Sequence, residues 1–135
     1  KLTGKYDLLI STDVFEHLFN PVEVLYESSK YLKVDAYYLI SNCFAPLVKC
    51  HLPQHFHLDI SWNQIMNYMG FKNELKVGNG NAFRRLNTLD LKTSKKIEKL
   101  SENIYNYIKY IPKGKGKIGK LLIHIFIKMQ LHNIK

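Results

Sequence analysis

The chain has 135 residues, 46% of them hydrophobic, and a formal net charge of +9. That is enough apolar matter for a core, but no run of about 18 consecutive apolar residues is present to suggest a membrane-spanning helix. Cys43 and Cys50 stand seven apart without a CxxC, which fits a reducing cytosol better than a disulfide framework and makes a cytoplasmic location the expectation.

The first strand candidate, Tyr6 to Ser11, begins almost at once and without an initiator Met, so the sequence reads as a piece of something longer. Leu8, Leu9 and Ile10 are apolar without alternation, the pattern of a central parallel strand covered on both faces. The run breaks into Ser11-Thr12-Asp13 and then Glu16-His17, and ligands of open α/β sheets sit outside the carboxyl ends of strands. Asp13, Glu16 and His17 stand at i, i+3 and i+4, so a single turn would direct all three to one side. Carboxylate oxygens with an imidazole suit Mg²⁺, Mn²⁺ or Fe²⁺ rather than a closed structural zinc.

Asn20-Pro21-Val22-Glu23 is a helix start: Asn20 can cap, Pro21 fits the first helical position, and Glu23 completes a capping box. The helix is predicted over 21–32, with Val22, Leu25, Ser29 and Leu32 on one face. Ala36–Ser41 reads as the next strand, and a strand, crossover helix and strand form a parallel, right-handed βαβ unit. From 42 to 60 the chain reads as an irregular stretch holding Pro46, Pro53, His51, His55 and His57. Cys50 and His51 with His55 and His57 match no standard zinc spacing. Ser61-Trp62-Asn63-Gln64 looks like a second capping box, opening a helix that Gly70 closes. Phe71–Val77 then reads as a strand and Gly78-Asn79-Gly80-Asn81 as its turn.

The excess charge is all in the tail. Residues 1–91 balance nine Lys/Arg against nine acids, whereas 92–135 hold eleven Lys against Glu98 and Glu102. The chain therefore divides into a body, 1–91, and a basic extension, 92–135, whose field suits an anionic membrane surface; nucleic acid is not the expected partner. Residues 94–111 carry an amphipathic helical pattern that Pro112 ends, and 121–129 are ambiguous, with a final strand antiparallel to Phe71–Val77 favoured over a helix. Gly114 to Gly119 spells G-x-G-x-x-G but follows a Pro instead of a strand, so it reads as a basic hinge.

Together, YDLLISTDVFEHLFNPVEVLYESSKYLK, AYYLIS and HFHLDISWNQIMNYMGF resemble the second half of a class I S-adenosylmethionine-dependent methyltransferase over about residues 4–71. The matching features are the D-x-x-E-H box, the N-P helix start, and a His upstream of a capped helix ending Gly-Phe. The resemblance implies a partial Rossmann-like doubly wound sheet with a helical extension. It implies O-methylation of a small-molecule or saccharide hydroxyl, with S-adenosylmethionine held in part by Ser11, Thr12 and Asp13. His17 or His57 would serve as general base, or Asp13, Glu16, His17 and His57 would hold a divalent cation as in the ubiquinone-pathway and small-RNA methyltransferases. Two departures stand out. The family's Leu-Lys-Pro-Gly-Gly turn is Leu32-Lys33-Val34-Asp35-Ala36, a turn that Asp35 must supply, and the glycine-rich cofactor loop lies upstream of residue 1 in the family. Alone, the 135 residues are expected to bind the cofactor poorly. The alternatives are a non-catalytic half-domain whose open sheet edge pairs with another copy, and a peripheral module that holds anionic surfaces through 92–135.

Overall fold

The computed structural model describes residues 5–45, 49–87 and 90–108, with Leu121, Ile125, Lys128, Met129 and His132 beyond them. It is mixed α/β: a four-stranded mixed sheet carries helices α1 (Pro21–Ser29), α2 (Leu58–Tyr68) and α3 (Leu91–Ile108). Strands β1 (Tyr6–Thr12), β2 (Leu32–Ser41), β3 (Phe71–Val77) and β4 (Gly80–Arg85) lie in the order β1-β2-β4-β3. The expected parallel pairing of β1 with β2 is present, from Leu8 opposite Tyr37 to Thr12 opposite Ser41, with α1 as the crossover between them.

β1 differs from the expected central strand. Among the described residues it has β2 as its neighbour and forms the sheet edge, leaving Leu8 49% and Ile10 62% exposed while Leu9 packs on the core. The absence of alternation in its sequence therefore marks two apolar faces, of which this structure covers one.

α1 ends three residues earlier than its pattern suggested, and β2 starts at Leu32, well before Ala36. The extra length is taken up by a bulge: Tyr6 pairs with Leu32, and the next pairing is Leu8 with Tyr37. Asp35 sits in it at φ 63°, a left-handed conformation that Asp tolerates better than most residues. Arg85, 5% exposed at the end of β4, reaches into this corner and donates to the carbonyls of Ser29 (2.8 Å), Leu32 and Asn87 (3.2 Å).

Neither capping box forms as read. Asn20 makes no cap bond and instead donates to Glu23 at 3.0 Å; the Glu23 amide is taken at 2.8 Å by Glu98 of α3, a carboxylate placed at the positive end of α1. α2 begins at Leu58, so Ser61 is already inside it and its hydroxyl donates back to the His57 carbonyl at 3.1 Å. Gly70, at φ 83°, closes α2 as expected.

Among the described residues the partner of β3 is β4. The two-residue turn at Gly78-Asn79, with Gly78 at φ 56°, makes a hairpin whose second strand inserts antiparallel between β3 and β2. Gly80 lets this hairpin touch the end of β2, because a Cβ there would lie 2.7 Å from the Ile40 oxygen. Leu121, Ile125, Lys128 and Met129 are helical, which removes the predicted last pairing, and Ile125, Lys128, Met129 and His132 line a hollow with Tyr68 of α2. The Pro112 stop and the Gly114 to Gly119 hinge lie outside the described residues.

α3 starts on Asp90, whose carboxylate accepts the Lys92 and Thr93 amides at 3.0 Å each. Its apolar and small face, with Ser94, Ile97 and Ser101 buried, packs on α1 and on a 3-10 turn at Pro53–His55. The core beneath joins Phe15, Tyr38, Phe44, Trp62, Met66 and Phe71 to Val22, Leu25 and Ile97. Among the described residues no helix is long and apolar enough to cross a membrane.

Candidate functional site

The parallel pairing brings the carboxyl ends of β1 and β2 side by side. Asp13 follows β1 at φ 52° and donates its amide to the Ser41 carbonyl at 2.8 Å, which turns the chain sharply out of the sheet. Phe15–His17 then form a 3-10 turn, and in so tight a turn successive side chains diverge widely. Phe15 goes inward against Trp62 and Tyr38, Glu16 is fully buried, and His17 is exposed. The i, i+3, i+4 spacing therefore does not place the three ionisable groups on one face.

Glu16 acts as a tie between loops. Its Oε1 accepts the Cys43 amide at 2.9 Å, and its carbonyl accepts the Leu52 amide at 3.2 Å, so the segments after β1 and β2 and before α2 are held together. Its Oε2 is buried with no hydrogen-bond partner among the described residues.

His17 lies beside Cys50 and His51. Its Nδ1 is 3.1 Å from the Cys50 carbonyl, His51 Nδ1 is 3.1 Å from the Ala45 carbonyl, and the two rings meet edge to face at 5.1 Å. Ligand atoms of His17, Cys50 and His51 all lie within 4.8 Å of one another; Asp13, Glu16 and His57 are not in this group. His57 instead faces α3, with Nε2 2.6 Å from the Ser101 hydroxyl, and is 4% exposed. Burial, with His55 nearby, holds its imidazole down at about 3. Of the residues expected to share a centre, His17 thus meets two partners not expected, while Asp13, Glu16 and His57 each serve a separate local purpose.

A second feature was not anticipated. Asn42, Phe44, Asp59, Trp62, Asn63, Asn79 and Asn81 line a small polar cleft of about 110 Å³ at the carboxyl end of β2. Both amide atoms of Asn42 and the indole N–H of Trp62 are buried there with no hydrogen-bond partner among the described residues. Asn79 and Asn81 had read simply as turn residues; the hairpin that carries them to β2 depends on β4, which the sequence pattern did not disclose.

Comparison with protein-family models, with curated proteins and with solved structures finds no match to this chain.

Proposed function

We propose that this chain is the acceptor-side half of an S-adenosylmethionine-dependent methyltransferase that acts on a hydroxyl of a small polar acceptor, a saccharide foremost. The observation that carries the reading is the polar cleft at the carboxyl end of β2, lined by Asn42, Asp59, Trp62, Asn63, Asn79 and Asn81. Carboxamides and an indole are suited to the edge and face of a sugar ring. The open edge of β1, with Leu8 and Ile10 outward, supports a fold completed by further strands and by covering helices on that side.

S-adenosylmethionine would supply the electrophilic methyl group. Thr12 and Asp13 are exposed at the end of β1, and the chain reverses there, so backbone and side-chain polar groups are available to a ligand lying across the strand end; Ser11, nearly buried, supports them from behind. They fit one wall of a cofactor site. His17, exposed, is the candidate for taking the acceptor's hydroxyl proton, whereas an imidazole held near 3, as at His57, is too weak a base at neutral pH. The oxygen-rich cation site is not carried into this reading, because Asp13, Glu16, His17 and His57 do not converge.

The test is calorimetric titration of S-adenosylmethionine into the 135-residue chain and into the chain extended upstream through its own reading frame. The extended protein should bind at micromolar levels and methylate a polyol acceptor; the 135 residues alone should not bind. In the extended protein Asn42→Ala should lower methyl transfer about tenfold or more, from one or two lost hydrogen bonds, with cofactor affinity unchanged. Failure of the extended protein to bind the cofactor overturns the reading.

A second reading concerns α3, whose exposed Lys92, Lys95, Lys96 and Lys99 line one groove with Asp90 and Leu91. This basic face supports contact with an anionic membrane surface. At about 1 kcal/mol per lysine near such a surface, each Lys→Gln change should weaken partitioning onto phosphatidylserine vesicles roughly fivefold, an effect that salt should erase. Binding indifferent to salt and to these changes would count against it.

A further inference from the structure

We propose that His17, Cys50 and His51 form a zinc site, with solvent as the fourth ligand. The inference uses neither the cofactor wall nor the polar cleft, but it takes His17 as a ligand: a ring whose Nδ1 donates and whose Nε2 holds zinc cannot also accept the acceptor's proton, so the two roles of His17 are alternatives.

Proximity is the first observation: one nitrogen from each ring and the Cys50 sulfur lie within 4.8 Å of one another. The second is the way both imidazoles are held. A carbonyl oxygen can only accept, so the Nδ1 of His17 must donate to Cys50 and the Nδ1 of His51 must donate to Ala45, each at 3.1 Å. Both rings are thereby fixed as the tautomer whose Nε2 carries the free lone pair, the arrangement by which metal-binding histidines are oriented from behind. A metal would draw the two Nε2 atoms and the sulfur to a common centre. Third, the scaffold is restrained: the Leu52 amide bonds the Glu16 carbonyl at 3.2 Å, which couples the Cys50-His51 segment to the turn that bears His17.

The ligand chemistry selects the ion. Two neutral imidazoles and a thiolate are borderline-to-soft donors, which suit zinc and exclude magnesium or calcium. Three protein ligands with Cys50 and His17 on the exposed side leave the fourth tetrahedral position to water, the form of an open and not a closed structural site. Binding replaces the Cys50 S–H bond with an S–Zn bond and releases that proton to buffer, so affinity must fall with falling pH.

The experiment titrates Zn²⁺, and Co²⁺ as its spectroscopic substitute, into the reduced, metal-free 135-residue chain. Expected are one ion per chain at micromolar affinity or better, a thiolate-to-cobalt charge-transfer band, and visible bands of four-coordinate intensity. Cys50→Ser should abolish the charge-transfer band, and Cys50→Ser and His17→Gln should each weaken zinc binding about tenfold or more. Both side chains are exposed, so these variants should fold. Cys43→Ser, which alters the other exposed thiol, should leave affinity unchanged. No saturable binding at submillimolar zinc overturns the proposal, as does binding that survives Cys50→Ser and His17→Gln at full affinity.

Discussion

A Phe15→Ala variant should lose about 3–5 kcal/mol of stability, a large share of the ~5–15 kcal/mol a domain of this kind possesses. Phe15 is 1% exposed, and its ring centroid lies 5.1 Å from that of Trp62 and 6.1 Å from that of Tyr38, with Phe44 tilted against Trp62 at 5.4 Å. Truncation leaves a cavity between rings that cannot collapse without moving β2 or α2. Because the same residue begins the turn that holds Glu16 and His17, the damage should spread to the loops that Glu16 ties together. Urea denaturation monitored by Trp62 fluorescence measures the effect, and Phe15→Leu should recover most of the loss. A midpoint unchanged by Phe15→Ala would mean that the turn is not anchored by this packing.

Glu98→Gln should leave stability near pH 4.5 unchanged and raise it near pH 8 by up to about 3 kcal/mol. Burial pushes the Glu98 carboxyl up to about 7, against the pull of the Glu23 and Val22 amides. A folded-state value above the ordinary 4.5 means that the native chain binds more protons across that interval, so stability is full below 4.5 and falls as pH rises through about 7. His57 has the opposite sign: held at about 3 against an ordinary 6.5, it gives stability that is full above 6.5 and is lost as pH falls toward 3. Between the two ordinary values the slopes oppose, leaving a broad optimum on the acid side of neutrality. Glutamine keeps the acceptor for the Glu23 amide but cannot ionise, so the loss between about pH 4.5 and about pH 7 should disappear. Urea midpoints across the pH range decide this; a decline that persists in Glu98→Gln would assign it to another group.

How far this was legible depends on which level of interaction fixed each element. β1, α1, α2 and β3 could be read because propensity, periodicity and a proline or glycine all agreed, and Val22, Leu25 and Ser29 form the buried face of α1 as expected, while Leu32 is buried as the first residue of β2. β4 could not, since Asn81, Arg84 and Arg85 look like surface residues until one sees that Arg85 is spent on backbone carbonyls. The caps failed for a related reason: Glu98 lies 75 residues from the amide it serves, and no local spacing encodes that. At the site, the position of Glu16-His17 just past the end of β1 is legible in the sequence. The partners of this pair are not, because helical geometry was assumed where a 3-10 turn stands, and because the approach of Cys50 and His51 is set by one hydrogen bond from the Leu52 amide to the Glu16 carbonyl.

The forked grip of Arg85 has a consequence for the order in which the protein comes apart. The carbonyls of Ser29 and Leu32, at the corner where α1 hands over to β2, are held by a side chain 56 and 53 residues away on β4. The hairpin therefore cannot swing off β2 without releasing that corner, and the corner cannot fray while the hairpin stays. Amide protons of residues 30–32 should accordingly exchange with solvent at the rate of the β2–β4 ladder and respond to denaturant with the same slope, as one cooperative opening unit. Arg85→Lys would place one compact charge where a planar fork now reaches three acceptors, and should uncouple the two rates even if the fold survives.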